Sequence, residues 1–478
     1  MKKLFGGLAI VLLLGAGTAT ARQTPVSSTA RDQSDVAITI YNDNLGLVKE
    51  TRTLSLGTGR NEVRYMDVAA QINPRTVHMV SLTAPQALQV VEQNYEYDLI
   101  SPEKLLEKFI GRKVRLVFAP SGGDRAPERE VEATLVSTNG GLVYQVDGQF
   151  HVNPPARVIL PEIPGGLISV PTLVWMLQNS GPATHKVETS YLTGGISWSA
   201  DYVAVVDAAD TKTDLTGWVT IDNTSGAAYK DARLKLVAGD IHRAQPDAMP
   251  MMERFQSVGI AGGKQAFEEE SFFEYHLYTL DRPATIKDRQ TKQIALLEAA
   301  GIPLTKIYLL AGQPSYYRSQ VGLIGTDMKV AVHLEMMNSQ KNGLGMPLPR
   351  GIVRLYKKDT SGSLQFIGED SIKHTPKDEK ITMKVGDAFD VVADRTQVDF
   401  RAVSGGRYDA ESEFEIKIRN HKEEAVTVTV REPVPGDWKV LSSTLPAVKA
   451  DAHTIEFNVP VPPNGQTVLR YRVAVDWS

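Results

Sequence analysis

The chain of 478 residues contains no cysteine. This absence excludes disulfide bonds, thiolate catalysis, cysteine-based zinc sites and lipid attachment through an N-terminal cysteine. Beyond the N-terminal segment, no stretch approaches the roughly 18 consecutive apolar residues of a membrane-spanning helix. The protein must therefore be stabilised by its hydrophobic core, for which 42% hydrophobic residues supply ample material.

Positive charge is not in excess either. The formal net charge is −4 at pH 7. Removal of an N-terminal signal would take away Lys2 and Lys3 and no acidic residue, which changes the charge to −6. Because nucleic-acid binding needs clustered Lys and Arg side chains that neutralise phosphates, we expect no nucleic-acid partner.

The N-terminal segment has the features of an export signal. The lysine pair Lys2–Lys3 precedes an apolar stretch, Leu4–Ala16, and Ala19–Ala21 offers the small residues of a cleavage site. The apolar stretch is too short to cross a bilayer. We expect residues 1–21 to be removed, a mature N-terminus near Arg22, and a periplasmic or secreted protein that is not a lipoprotein.

Helical periodicity is nearly absent after residue 111, whereas strand periodicity is frequent. Val36, Ile38 and Ile40 alternate with their neighbours at the two-residue period of a half-buried strand. Similar segments, bounded by Gly, Asn, Asp or Ser, recur over 172–241 and 413–475. The predicted fold class is mainly β, with multidomain antiparallel β-sandwiches.

One short helix interrupts this pattern. Ser101 is a good N-cap, Pro102 fits the first helical position, and Gly111 ends the helix. Five short strand-like segments follow, and we predict that 98–163 forms an inserted small Sm/SH3-like barrel. The core residues predicted for it are Leu105, Leu106, Val114, Leu116, Val131, Leu135, Val143 and Val158.

The strand and helix patterns, together with one segment that lacks any periodicity, predict how the chain is divided. Residues 243–271 mix Met, Gly, Gln and acidic residues without a period, which is typical of a mobile loop. The predicted segments are 1–21, a signal peptide; 22–35, a flexible leader; 36–97, an N-terminal β domain; 98–163, the helix and small barrel; 164–385, a β-sandwich domain interrupted by loop 243–271; and 386–478, an immunoglobulin-like C-terminal sandwich.

The search for catalytic motifs finds no G-x-S-x-G and no H-E-x-x-H. The best polar cluster is His374, Asp378 and Glu379, since a histidine and two carboxylates can bind a metal or share acid–base work. Pro376 and Asp378 are also good turn formers, so our preferred interpretation is a solvent-facing hairpin loop. These three residues are weak catalytic candidates.

Two further aspartates are weak candidates for a metal site. Asp387 and Asp390 can bind a cation, but our preferred interpretation is a Gly-Asp turn and a strand end. Asp207, Asp210 and Asp214 resemble a calcium loop only in composition, and we interpret them as a turn between strands. We expect no cofactor.

Three aromatic residues allow two interpretations. Tyr191, Trp198 and Tyr202 can form a platform for sugars, but aromatic residues on sandwich strands more often lie in the core. We expect them to be buried.

Four segments resemble a known bacterial family called domain of unknown function 4139, whose relatives include proteins described as mucoidy-inhibitor-like. They are YLTGGISWSADY at 191–202, LVAGD at 236–240, GEDSIKHTPKDE at 368–379 and VGDAFD at 385–390. The resemblance covers roughly 165–478. The family has no established catalytic residues, so the resemblance implies none here.

These observations predict a non-enzymatic module of the cell envelope that binds or scaffolds another envelope protein or a cell-surface glycan. The alternative is an envelope hydrolase of glycan or peptide with carboxylates distant in sequence. Glycoside hydrolysis requires two carboxylates that face each other in a cleft, about 5–10 Å apart. The two hypotheses are therefore distinguished by the spatial arrangement of the carboxylates.

Overall fold

The computed structural model describes residues 24–96, 100–119, 128–162, 168–239, 241, 267–403 and 408–477. In these residues the protein is mainly β, as predicted. The first strands are β1 Val26–Ser28, β2 Gln33–Tyr41, β3 Leu45–Ser55, β4 Gly59–Met66, β5 His78–Ser81 and β6 Leu88–Glu96. The helix α1 Pro102–Lys108 follows, and then β7 Lys113–Phe118, β8 Arg129–Ser137, β9 Val143–Val146, β10 Gln149–Val152 and β11 Ala156–Ile159.

The remaining strands follow in two groups. The first group is β12 Thr172–Asn179, β13 Thr184–Thr193, β14 Ile196–Val206, β15 Lys212–Asn223, β16 Tyr229–Ala238, β17 Phe267–Phe272, β18 Tyr275–Leu280, β19 Ala284–Ile286, β20 Gln290–Pro303 and β21 Thr305–Ala311. The second is β22 Leu323–Met337, β23 Gly351–Lys358, β24 Leu364–Ile372, β25 Lys380–Ala402, β26 Ala410–Asn420, β27 Val426–Pro433, β28 Asp437–Ser443, β29 Val448–Asp451, β30 Thr454–Val461 and β31 Gly465–Asp476. Short 3-10 helices are Ala30–Asp32, Pro74–Thr76, Pro314–Tyr317 and Gln340–Asn342.

The chain divides into two compact units. The first contains Met1–Val36 and Val48–Thr193, and the second contains Ala37–Leu47 and Gly194–Ser478. The finer segment boundaries that we drew from the sequence stay predictions.

In the first unit, β1-β4-β12-β6 form a four-stranded sheet. β1 pairs in parallel with β4, where Val26 lies opposite Val63, and Ser28 is buried. Val26–Ser28, within the segment 22–35 that we predict as a flexible leader, therefore forms a paired strand. Main-chain pairing holds this short polar strand, and hydrophobic periodicity does not detect such pairing.

The helix α1 begins as predicted. Ser101 Oγ accepts a hydrogen bond from the backbone N–H of Lys104 at 3.1 Å, and Pro102 occupies the first turn. Gly111 has the left-handed φ of 79° that favours glycine after a helix. None of the described helices is both long and apolar enough to cross a membrane.

The five strands after α1 form one sheet in the order β10-β9-β8-β7-β11, and in the described residues its edge strands β10 and β11 do not pair with each other. The predicted barrel is therefore not closed. Only four peptide steps, at most about 14 Å, join Val152 at the end of β10 to Ala156 at the start of β11. Because five flat strands would span about 19 Å, the sheet has to curl strongly. Closure would require longer edge strands that can pair.

The curled sheet has its own small core. Val114, Leu116 and Leu135 are buried as predicted, and the other five predicted residues are only partly buried. In β9 the core position belongs to Tyr144, because its neighbour Val143 points to the opposite face. The buried cluster consists of Phe109, Val114, Leu116, Ala133, Leu135 and Tyr144.

In the second unit, two sheets pack face to face. One contains β17-β18-β16-β2 and the other β20-β15-β14-β23-β24. Trp198 packs edge-on against Tyr278 at 6.2 Å between ring centroids, and its Nε1 donates to the carbonyl oxygen of Val237 at 3.1 Å. Tyr202 is buried here, and Tyr191 is buried in the first unit. The core interpretation of the three aromatic residues is confirmed.

The loop predicted at 243–271 lies almost entirely outside the described residues. Its last part does not follow the prediction, because Phe267–Phe272 forms β17, which pairs with β18. The backbone pairing with β18 gives this acidic segment a strand structure that its side chains do not indicate.

The C-terminal part of the second unit is a nine-stranded sheet in the order β28-β31-β26-β25-β22-β21-β27-β30-β29. The sheet bends so that strands near its two ends share one core. Phe457 of β30 lies 4.9 Å from Tyr471 of β31 between ring centroids. This bending leaves β21, β22 and β25 in the middle of the sheet, next to the end of β14 and the edge strand β24.

Candidate functional site

The three weak catalytic candidates lie in the connection between β24 and β25. Asp378 has a left-handed φ of 63°, and its N–H donates to the carbonyl oxygen of Asn338 at 2.6 Å. The N–H of Asn338 donates to the carbonyl oxygen of Glu379 at 2.9 Å, and His374 Nδ1 accepts from the backbone N–H of Arg350 at 3.2 Å. Asp378 and Glu379 are exposed. The absence of a catalytic or metal-binding role for these residues stays a prediction.

The weak metal candidates lie on an unusual feature of β25. The register between β22 and β25 shifts so that residues 388–391 lie opposite the single residue Val330. This wide bulge carries Phe389, whose exposed fraction is 88%. Asp387 precedes the bulge and Asp390 lies within it. Among the described residues, no group of three or more His, Asp or Glu side chains is arranged to hold a metal ion.

The bulge forms one wall of a cleft of about 280 Å³. An adjoining inner cavity of about 140 Å³ shares four lining residues with it. We call the two spaces together the bulge cleft. Its apolar surface is formed by Val206, Val332, Leu334, Ile367 and Val385. The side chains come from β14, β22, β24 and β25, which are distant in sequence.

The inner cavity contains an aspartate between two lysines. Lys306 Nζ donates to Asp210 Oδ2 at 2.8 Å, and Lys357 Nζ donates to Asp210 Oδ1. The side chains are each about a quarter exposed, at 27%, 30% and 23% for Lys306, Lys357 and Asp210. Burial opposes ionisation of Asp210, but the hydrogen bonds from both lysines outweigh it and lower the pKa of this carboxyl. The group is therefore ionised at neutral pH.

Two lysines lie beside the same tyrosine in the outer part of the cleft. Lys306 Nζ and Lys422 Nζ are 5.5 Å and 5.8 Å from the centroid of the Tyr308 ring. Burial disfavours the charge of Lys306, yet its hydrogen bond to Asp210 raises the pKa of the ammonium group. Burial likewise disfavours the charge of Lys422, but Tyr308 and Glu424 raise its pKa. Both ammonium groups remain charged at neutral pH.

These groups are suited to recognition. The bulge cleft combines an apolar surface, ammonium groups and two aromatic rings, which is the composition of a ligand site. The described residues that line it include no serine, threonine or histidine that would serve as a hydroxyl nucleophile or an imidazole base. Asp387 also forms an ion pair with Lys384 at 3.3 Å.

A second polar arrangement lies in the first unit and resembles a catalytic triad in its connectivity. Ser81 Oγ is 2.8 Å from His185 Nδ1, and His185 Nε2 is 3.1 Å from Asn179 Oδ1. All three residues are at most 1% exposed. Ser81 Oγ also accepts a hydrogen bond from the N–H of Ala84 at 3.1 Å, so the hydroxyl already has partners within the protein. We interpret this network as structural, because no substrate can approach the hydroxyl.

Only part of the bulge cleft could be identified from the sequence. Asp387 and Asp390 do line it, and Asp210 lies in a turn after β14 as expected. Lys306, Lys357 and Lys422 were missed, because single lysines on β21, β23 and after β26 carry no local signal. Only their convergence on Asp210 and Tyr308 distinguishes them from solvent-facing lysines.

Comparison with known protein families places the chain in one of them. No curated protein matches the chain. The model of the family described as Domain of unknown function (DUF4139) matches residues 187–478. The match extends from β13 to the end of the chain and includes every residue that lines the bulge cleft. The chain therefore belongs to the DUF4139 family.

Proposed function

We propose that this protein is an exported binding module of the bacterial cell envelope and that the bulge cleft is its ligand site. The observation that carries the proposal is Phe389, a phenyl ring that is 88% exposed on a bulge at the mouth of the cleft. Bulges commonly re-aim a side chain at functional positions. A large apolar side chain beside a cleft is typical of a surface that is covered by a ligand.

The envelope location follows from the export signal expected at 1–21 and is part of this proposal. The partner that we propose for this exported module is another envelope protein or a cell-surface glycan. The cleft supports this function because its ammonium groups and aromatic rings provide contacts for a polar ligand that also has apolar parts.

Position-specific photocrosslinking tests the proposal in the native host. Phe389 is replaced by p-benzoylphenylalanine, and Phe150, 65% exposed on β10 of the other unit, is replaced in a control variant. We expect a discrete adduct from position 389 and none of the same mass from position 150. The adduct should disappear when Tyr308→Ala is added. Equal smears from both positions, or no adduct, would contradict the proposal.

A hydrolase is the second candidate, because Asp387 and Asp390 line the same cleft. The double variant Asp387→Asn/Asp390→Asn separates the two functions in the same crosslinking experiment. A hydrolase that has lost its carboxylates retains intact substrate, so the mass of the adduct should increase. A binding module does not cleave its ligand, so the mass of the adduct should stay the same.

A further inference from the structure

The lining of the inner cavity carries more positive than negative charge, although the bulge cleft as a whole is balanced, with Lys306, Lys357 and Lys422 against Asp210, Asp387 and Asp390. Lys306 and Lys357 share the single carboxylate of Asp210, and no other charged residue in the described part of the chain lines this cavity. Two ammonium groups and one carboxylate leave a net charge of one. Each ammonium group has three N–H donors, and Asp210 accepts one from each. Donors and charge therefore remain for a second anionic group.

The surroundings strengthen the attraction of an anion to this charge. The three side chains are only about a quarter exposed, and the rest of the cavity is apolar. Coulomb interactions are several times stronger at such half-buried positions than in bulk water. A small anion would also relieve the repulsion between the two ammonium groups, which lie on the same carboxylate.

The apolar lining restricts what can be attached to the anion. Val206, Leu334 and Ile367 offer no hydrogen-bond acceptor or donor from their side chains. Sugar hydroxyl groups placed against them would lose their hydrogen bonds to water without replacement. A medium-sized apolar side chain next to a carboxylate fits both the lining and the cavity of about 140 Å³.

We infer that the bulge cleft binds the free C-terminal carboxylate of a peptide chain, with an apolar last side chain in the inner cavity. The carboxylate lies between Lys306 and Lys357, opposite the aspartate that already holds them. The preceding residues extend through the outer cleft past Tyr308 towards Phe389. This inference rests on the proposed function and specifies the chemistry of its ligand.

Fluorescence anisotropy tests the inference with the purified full-length protein. The probes are fluorescein-labelled pentapeptides that end in leucine, one with a free carboxylate and the other with a carboxamide. We expect saturable binding of the acid and affinity about 10-fold lower for the amide, because charge-assisted hydrogen bonds are lost. Higher salt should weaken the acid peptide selectively. Equal binding of both peptides, or binding of neither, would overturn the inference.

Variants with matched changes in charge locate the site. Lys357→Gln leaves Lys306 and Asp210 as a neutral pair, so the cavity loses its net charge but keeps an ion pair. We expect the preference for the acid peptide to disappear, and Lys357→Arg to retain it. Lys358→Gln, at the exposed neighbouring position, removes the same charge and should change affinity less than about two-fold.

Competition distinguishes the source of the carboxylate. N-acetyl-leucine should displace the acid peptide, whereas glucuronate and decanoate should do so only at much higher concentration. Stronger displacement by either of these would assign the site to acidic sugars or fatty acids and overturn the inference. If the adduct at Phe389 forms in the envelope but acid and amide peptides bind alike, the proposed function stands and only the peptide-end inference fails.

Discussion

At the scale of single residues, the least expected feature is a fully buried ion pair in the nine-stranded sheet. Arg395 Nη2 is 3.0 Å from Glu432 Oε1, and both side chains are 0% exposed. The hydroxyl of Tyr317 donates to Glu432 Oε2 at 3.0 Å and lies 2.9 Å from that of Tyr471. Burial raises the pKa of Glu432 even though Arg395 favours its ionised form. Gly312 leaves the space for this pair, since a Cβ there would lie 2.0 Å from Glu432 Oε2.

We predict that Arg395→Met lowers the free energy of unfolding by about 3–5 kcal/mol at pH 7, because it leaves a buried carboxylate without its cation. In the folded state, loss of Arg395 raises the pKa of Glu432 further. In the unfolded state Glu432 is solvated, and its pKa does not change. The folded state then binds the proton more tightly, so the stability of the variant should increase as the pH falls from 7 towards about 4.5. Urea unfolding followed by intrinsic fluorescence at several pH values measures both effects.

Arg470→Met serves as the control for this prediction. Arg470 forms an ion pair with Glu415 on the same sheet, but the side chains are 56% and 31% exposed. Its loss should change stability by at most about 1 kcal/mol. The double variant Arg395→Met/Glu432→Leu should be more stable than Arg395→Met alone. Similar losses for Arg395→Met and Arg470→Met would show that burial of the pair has no energetic consequence.

At the scale of elements, the shape of the bulge cleft depends on how closely β24 approaches β25. Gly368 allows this close approach, because the Cβ of any other residue there would lie 2.3 Å from the carbonyl oxygen of Val385. Its φ of 153° is also rare for residues with a side chain. The neighbouring residue Ile367 lies at a register shift of β24 and, with Val385, lines the cleft.

We predict that Gly368→Ala lowers the free energy of unfolding by about 1–3 kcal/mol and decreases the adduct yield at Phe389. The methyl group must push β24 away from β25 and thereby widen the cleft. Gly362→Ala is the matched control, since Gly362 has a φ of 86° and no atom within 4 Å of the added Cβ. It introduces backbone strain without a clash, so crosslinking should be unchanged. Equal yields for both variants would contradict the role of this contact.

At the scale of the whole molecule, the chain enters the second unit twice. Ala37–Leu47 belongs to the second unit, the chain then returns to the first unit at Val48, and it leaves for the last time after Thr193. Neither unit is therefore a single continuous segment. A contiguous stretch of the chain therefore cannot contain the whole second unit without part of the first, because Ala37–Leu47 belongs to the second unit.

The proposed export of the protein can be tested directly at the scale of the whole molecule. We predict that the protein recovered from its host begins at or near Arg22, because Ala19 and Ala21 suit the small pockets of a signal peptidase. N-terminal sequencing after cell fractionation measures this. A product that retains Met1 or Lys2 outside the cytoplasm would contradict cleavage, and recovery only from the cytoplasm would contradict export.

The sequence by itself determined the fold class and several local features. Strand alternation reports which face of a strand is buried, and Val36, Ile38 and Ile40 are indeed buried. The N-cap of α1 is local in sequence, so Ser101 could be assigned in advance. We also expected Tyr191, Trp198 and Tyr202 in the core, because large aromatic residues on sandwich strands supply much of the buried area.

The interpretation of the sequence failed where main-chain pairing, and not side-chain pattern, decides the structure. β1 and β17 have little hydrophobic alternation and exist because their backbones pair with β4 and β18. The small barrel is an open curled sheet, because closure depends on whether β10 and β11 meet. Val143 was placed in the core although the alternation in β9 places Tyr144 there.

The candidate site was decided almost entirely by the tertiary structure. Asp387 and Asp390 could be proposed as ligands from their sequence neighbours, but nothing local indicates a bulge opposite Val330. Asp210 becomes part of a site only because the sheet order brings Lys306 and Lys357 to its two oxygen atoms. Electrostatic interactions depend on distance in space, and in a β protein that distance is set by strand pairing between residues far apart in the chain.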